Sequence, residues 1–198
     1  MRNVHERLVP GPASGVGHLI DGLAGEDDRL WPAERWPPMR LDRGLAVGAR
    51  GGHGPVRYEV AEHVPGERVV FRFTKHFAGT HRFEAWASSG ETLVRHVLEG
   101  RTRGWMLLGW PLAFRHLHDA CAEDALDRAE AAVRGEPYRP RPLSRRVRYL
   151  RRLVAAVMRR AGVRARSPSR RTRAPDGSRG PRRPSAPPRR GAAGTRRA

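Results

Sequence analysis

Apolar and polar positions alternate in several short runs through the first half of the chain, the period that puts successive side chains on opposite faces of a strand. Val4–Val9 is a modest example, closed by Pro10-Gly11-Pro12. Val56–Glu62 alternates more cleanly and ends at the turn dipeptide Pro65-Gly66. Arg68–Thr74 follows, with Val69, Phe71 and Phe73 on one side and Arg68, Arg72 and Thr74 on the other. Thr80–Ala87 sets His81, Phe83 and Ala85 opposite Arg82, Glu84 and Trp86, and Ser89-Gly90 turns the chain into Thr92–Glu99. These four neighbouring runs predict an antiparallel meander with one buried face. Met39–Leu41 and Val47–His53 are weaker strand candidates in a glycine-rich stretch.

Helical spacing predicts two short helices between the first strand and the meander, Ala13–Leu23 and Glu26–Leu30, before Pro32, Pro37 and Pro38 interrupt the chain. A long helical pattern follows the meander. Its first turns, Trp105–Phe114, are apolar around Pro111, and Arg115–Val133 is two-sided. His116, Asp119, Glu123, Asp127 and Glu130 share a polar ridge. Phe114, Leu117, His118, Cys121, Ala122, Ala125, Ala129 and Ala132 lie opposite, and Gly135 and Pro137 stop the helix. Residues 137–143 read as a Pro/Arg linker, and Ser144–Ala161 as a basic amphipathic helix with Val147, Leu150, Val154, Val157 and Ala161 as its apolar stripe. Residues 162–198 hold no aromatic, Leu or Ile and are expected to be disordered. The expected division is therefore a domain over 1–136, a linker and basic helix over 137–161, and a tail over 162–198.

Charge sharpens this division. The 198 residues carry 39 basic and 20 acidic side chains, a formal charge of +19. Residues 1–136 have 18 basic and 19 acidic groups, whereas residues 137–198 have 21 arginines and one acid, Asp176. The excess belongs to the extension, so a wholly basic nucleic-acid-binding domain is excluded. A flexible chain of such charge attracts phosphate polymers or anionic lipid surfaces in a salt-dependent way. Contact of residues 144–198 with nucleic acid or an anionic membrane is thus one expectation, and a solubilising extension without a partner is the other. The single cysteine, Cys121, excludes an intrachain disulfide and fits a reducing compartment. Arg2, His5, Glu6 and Arg7 occupy the place of a signal peptide's apolar core, and the longest stretch free of charge and His runs only from Gly104 to Phe114. A cytoplasmic location without a membrane span is the expectation.

The order of strand, two short helices, run of strands and long C-terminal helix resembles the helix-grip fold of the SRPBCC superfamily. That superfamily includes START lipid-transfer domains, pollen-allergen-like carriers and polyketide cyclase/dehydrase-like proteins. Val4-His5-Glu6-Arg7, Leu30-Trp31-Pro32, Arg35-Trp36-Pro37-Pro38-Met39, Gly51-Gly52-His53-Gly54-Pro55, Gly79–Glu84, Arg95–Gly100 and His118-Asp119 with Glu123–Leu126 resemble an actinobacterial-type branch of it, over about residues 2–135. The resemblance implies an α+β fold in which a curved antiparallel sheet of about seven strands wraps the long helix. It also implies a cavity for a small hydrophobic or amphipathic molecule, in a carrier or a cyclase/dehydrase-like protein. It implies no catalytic residues, since the superfamily has no universal catalytic motif, and it leaves open whether any reaction is catalysed. The alternative reading is a non-enzymatic interaction protein tethered by its basic extension.

The residues support such a gap independently. Small side chains on the helix (Cys121, Ala122, Ala125, Ala129, Ala132) face large ones on the sheet (Tyr58, Phe71, Phe73, Phe83, Leu98). This leaves either a pocket or a close helix–sheet contact. His81, His96 and His118 fall on the inward parity, where neutral imidazoles orient a polar ligand group, act as acid or base, or are ordinary buried side chains. Among these, His81, His96 and Tyr58 are the candidates for catalysis. Trp31 and Trp36 form a rim over the cavity or plug the end of a small core. No cofactor or metal is expected. The spacing of His81, His96, His118 and Cys121 does not demand zinc, and His116, Asp119 and Glu123 fit a solvated ridge or an Arg-rich partner.

Overall fold

A computed structural model describes residues 1–160. Seven strands form one antiparallel sheet: β1 (Arg2–Pro10), β2 (Arg40–Leu45), β3 (Arg50–His53), β4 (Val56–Val64), β5 (Arg68–Phe73), β6 (Phe77–Ser88) and β7 (Glu91–Thr102). Their spatial order is β1-β7-β6-β5-β4-β3-β2. The predicted meander is present as β4–β7, with β6 and β7 longer than the alternation alone indicates. Gly79 and Gly100 are cross-strand partners near one end of β6 and β7, both at positive φ. A Cβ on Gly79 would sit 2.1 Å from the Glu99 carbonyl oxygen, so this close approach requires glycine.

Helix α1 (Ala13–Asp21) leads to a chain segment that is not helical at Glu26–Leu30, contrary to the sequence expectation. The Asp28 carboxylate accepts the backbone N–H groups of Ala24, Leu30 and Trp31, an alternative to helical pairing that short acidic side chains readily offer. The weak strand expected over Val47–His53 also contracts to Arg50–His53, because residues 46–49 form a turn closed by an Ala49 N–H to Ala46 carbonyl bond.

After β7 come α2 (Met106–Gly109), a π-helical turn (Trp110–Phe114) and α3 (Arg115–Arg134). Pro111 has no N–H and its ring crowds the preceding turn, and the wider π turn accommodates it. Trp105, Leu107, Leu108 and Leu112 remain exposed here. Gly135, at φ 68°, stops α3: its N–H reaches the Ala132 carbonyl and that of Glu136 reaches Ala131. Helix α4 (Arg145–Arg160) starts with the Ser144 hydroxyl accepting the Val147 N–H. It docks through buried Val147 and Leu150, while Val157 of the predicted stripe stays exposed, as does Leu153 outside it. The tail expected to be disordered, residues 162–198, lies outside the described residues.

The acidic ridge of α3 packs on β1, which corrects the expectation of a solvated ridge. Asn3 Nδ2 donates to Asp119 at 2.8 Å, His5 Nδ1 lies 2.6 Å from Glu123, and Arg7 pairs with Glu123 at 2.9 Å and with Asp127. Two residues of strand advance about 6.8 Å and four of helix about 6.0 Å, so the two series stay in step when strand and helix run the same way. Asn3, His5 and Arg7 therefore point inward, and apolar Leu8 faces solvent. On the other flank of α3, buried Asp124 accepts Trp36 Nε1 at 2.7 Å and Arg35 Nη1 at 3.0 Å. Because Arg7 and Asp127 are both largely withdrawn from water, Arg7→Met should destabilise the protein by about 2–3 kcal/mol in denaturant unfolding. Asp127→Asn on that background should then cost clearly less than it does alone; strictly additive losses would show that the pair is not coupled.

Candidate functional site

The concave face of the sheet is read most easily across the strands. His5 pairs with His96, and His96 with Phe83. One step along, Leu98 pairs with His81, His81 with Phe71, and Phe71 with Val60. Cross-strand neighbours share a face, so this register gathers histidines from three strands over one area. His53 joins them from β3, and His118 reaches them from α3.

Together they form a file of five imidazoles. Successive ring centroids are 6.5 Å apart from His53 to His81, 5.7 Å to His96, 5.0 Å to His118 and 5.8 Å to His5. At the first end, His53 Nδ1 lies 3.1 Å from the Tyr58 hydroxyl and the ring sits 4.6 Å from Trp31. In the middle, His81 stacks on Phe71 and Phe73, with Tyr58 edge-on to it, and Phe83 sits 4.6 Å from His96. At the far end, Trp110 packs on His118 at 5.6 Å, and His5 meets Glu123 and Asp119.

The polar atoms of the middle stand out. His81 is 3% exposed and His96 4%. His81 Nε2, His96 Nδ1 and both nitrogens of His118 are buried without a hydrogen-bond partner. His118 Nδ1 is 3.7 Å from Asp119 Oδ1, too long for a hydrogen bond. An unsatisfied buried polar group costs about 1–3 kcal/mol, so several between the sheet and α3 are a substantial concentration of unused hydrogen-bonding capacity.

Burial keeps these rings neutral. It lowers His53 to about 3 and holds His81 and His96 well below the ordinary imidazole value, with neighbouring histidines adding repulsion. His118 is also lowered, chiefly by burial. His5 goes the other way: its desolvation is outweighed by Asp119 and Glu123, and its pKa is raised. Burial raises the Tyr58 hydroxyl well above its usual value and pushes the Cys121 thiol up, which removes Cys121 as a nucleophile near neutral pH.

Of the residues singled out in the sequence, Tyr58, Phe71, Phe73, His81, Phe83, His96, Leu98 and His118 come together between sheet and α3, and Trp31 closes one end. Trp36 does not join them. Its indole donates to Asp124 and lies under the Arg151 guanidinium, on the flank where α4 docks. The aromatic half of the face is closed by ring-on-ring contact around His81, and the remaining unused imidazole nitrogens are those of His96 and His118. A groove of about 530 Å³ lies elsewhere, between the end of α3 and residues 136–141. Sequence reasoning missed His53 and His5. The Tyr58 partner of His53 is five residues away across a tight hairpin, so spacing held a signal there. His5 was obscured because the apolar parity of β1, Val4 and Leu8, points the wrong way.

No protein-family model and no curated protein matches this sequence. Solved structures do. A protein from Nitrosospira multiformis superposes with a TM-score of 0.51 at 12% identity, covering 66% of this chain and 94% of that one. DynU16, a protein of the dynemicin biosynthetic locus, gives 0.50 at 15% identity over 70% of this chain, which spans 49% of DynU16. CalU16 from Micromonospora echinospora gives 0.48 at 14%, covering 79% of this chain and 84% of that one. The chain has the helix-grip fold. It is an α+β architecture in which the curved antiparallel sheet grips the long helix. Within the helix-grip frame, the histidine file occupies the interior between grip and helix. No described helix is long and apolar enough to cross a membrane.

The neutral histidines make stability depend on pH. In the unfolded chain each accepts a proton as pH falls through about 6.5, while the folded ring does not, so stability is full above that value and lost below it, down to about 3 for His53. His5 acts oppositely: its contribution is present below 6.5 and is lost as pH rises through its raised value. Lowering pH from about 7.5 to about 5.5 should remove about 1.4 kcal/mol per neutral histidine. His81→Phe should shrink that drop by about one such step in denaturant midpoints; an unchanged drop would mean that His81 titrates normally in the folded state.

Proposed function

We propose that this protein holds a small, largely apolar molecule bearing hydrogen-bonding groups in the space between its sheet and α3. It does so as a carrier or as a polyketide cyclase/dehydrase-like protein of the cytoplasm. The domain that carries the site spans residues 1–136. The observation that supports the reading is the set of unpartnered nitrogens on His81, His96 and His118. A neutral imidazole offers one donor and one acceptor. A guest hydroxyl near these rings can donate to one nitrogen and accept from another, and a carbonyl can accept from an imidazole N–H, in surroundings otherwise built of Phe71, Phe83, Leu98 and Trp110. Few convergent polar groups in an apolar lining are the usual make-up of a small-molecule site.

Roles follow from position. His96 and His118, 5.0 Å apart on opposite walls, grip the polar group of the guest. His81 sits deeper, fixed between phenyl rings, and orients it. Tyr58 is engaged with His53 and acts through that pair. If the guest is transformed, His81 and His96 are the groups placed to move a proton, since both remain neutral at cellular pH.

Native mass spectrometry of the freshly purified full chain should reveal a retained small molecule. After it is stripped, anilinonaphthalene sulfonate should bind saturably and quench tryptophan emission. Combining His81→Phe with His96→Leu should weaken probe binding at least tenfold while the circular dichroism of the fold is kept. Probe affinity equal in the variant and the parent chain would overturn the assignment of the site.

A further inference from the structure

The α3–β1 end of the histidine file carries a second cluster, which shares His118 with the guest site and adds two residues, His5 and Asp119, that the guest site does not use. His5, His118 and Asp119 each present a ligand atom, and these atoms all lie within 4.8 Å of one another. His5 Nε2 is 3.3 Å from Asp119 Oδ1, and His118 Nδ1 is 3.7 Å from the same oxygen. In a tetrahedral zinc site with bonds of about 2.0–2.1 Å, neighbouring ligand atoms are about 3.3 Å apart. Two of the edges are thus at, or a few tenths of an ångström from, the separation a cation would impose.

Three further observations converge on the same point. Both His118 nitrogens are buried without a partner, so one is free to ligate. His5 Nδ1 is held at 2.6 Å by Glu123 Oε1, an acceptor, so Nδ1 carries the proton. His5 Nε2 then faces the Asp119 carboxylate at 3.3 Å, a contact that a proton on Nε2 satisfies in the free protein and that a metal ion displacing that proton satisfies equally. The Glu123–His5 pair also has the form of an outer-shell carboxylate that orients a metal-bound histidine. Asp119 is itself positioned by Asn3 Nδ2 at 2.8 Å.

We infer that His5 Nε2, His118 Nδ1 and Asp119 Oδ1 form a binding site for a divalent first-row transition metal of the zinc class. Two imidazoles and one carboxylate suit such an ion better than magnesium or calcium, which take all-oxygen shells. Three protein ligands leave a coordination position open. His96, the neighbour of both His5 and His118, stands closest to the metal-ligand set with its own unpartnered Nδ1. Helical spacing pointed to His116, Asp119 and Glu123 as metal ligands only weakly against a solvated ridge, and His5 lies more than a hundred residues from its partners, so this ligand set was not visible in the sequence. The inference stands independently of whether an organic guest occupies the sheet–helix space.

The test is a calorimetric titration of chelator-treated full-length protein with Zn²⁺, and separately with Mg²⁺. One saturable equivalent of Zn²⁺ is expected that excess Mg²⁺ does not displace. His118→Gln and Asp119→Asn should each weaken it at least tenfold, and Glu123→Gln, outside the ligand set, by about tenfold or more. X-ray absorption of the zinc-loaded parent chain, which needs no variant to fold, should show two imidazoles and a carboxylate oxygen in the first shell. Absence of a one-to-one Zn²⁺ complex, a shell with fewer than two imidazoles, or equal affinity in folded His118→Gln and Asp119→Asn proteins would overturn the assignment.

Discussion

The match in pitch between one polar strand and one acidic helix ridge sets the rest of the structure. Asn3, His5 and Arg7 engage Asp119, Glu123 and Asp127 in order, and this fixes both the direction of α3 and its rotation about its own axis. With that ridge committed to β1, the face bearing His118, Ala122, Ala125 and Ala129 can only turn to the sheet. Trp36 and Arg35 then hold the opposite flank through Asp124. The helix is seated by polar contacts at its edges, with small side chains along the middle, and the separation between helix and sheet follows from both.

The same seating brings His118 over His96 and extends a row of imidazoles across the concave face. At His81 and His96 the neutral ring is the favoured form, since both are withdrawn from water and neighbouring imidazoles repel a charge there. Hydrogen-bonding capacity is therefore stored in a place that the fold itself leaves unsatisfied. An interior selected for stability alone would place phenylalanine or leucine at such positions, as it does at Phe71 and Phe83. The proposed guest would supply the partners that these polar atoms lack.

Much of this arrangement was legible in the sequence. Clean alternation over Val56–Glu62 and Arg68–Thr74 marked the meander, because strands with one wet face carry their parity openly. His81 and His96 could be placed inward on the same evidence, and His118 on the helical spacing it shares with Cys121 and Ala125. What escaped was polar packing. The inward side of β1 carries Asn3, His5 and Arg7 with only Val9 apolar, while Val4 and Leu8 lie on the other parity, so hydrophobic parity did not mark the inward face and the charges on a helix far along the chain explain it. Glu26–Leu30 had helical composition, but the Asp28 side chain takes over the local N–H groups. Trp36 looked like a rim residue beside Trp31, yet its indole proton is committed to Asp124.

The central claim is that His81, His96 and His118 are neutral rings with free nitrogens facing an interior that admits a guest. Nitrogen chemical shifts of histidine-labelled protein, recorded just below the ordinary imidazole pKa, read protonation and hydrogen bonding of each ring directly. The account predicts three neutral rings, each with a nitrogen at the shift of an unbonded imidazole, and movement of those signals when anilinonaphthalene sulfonate is added. Imidazolium shifts at His81 and His96, or signals indifferent to the added probe, would contradict it.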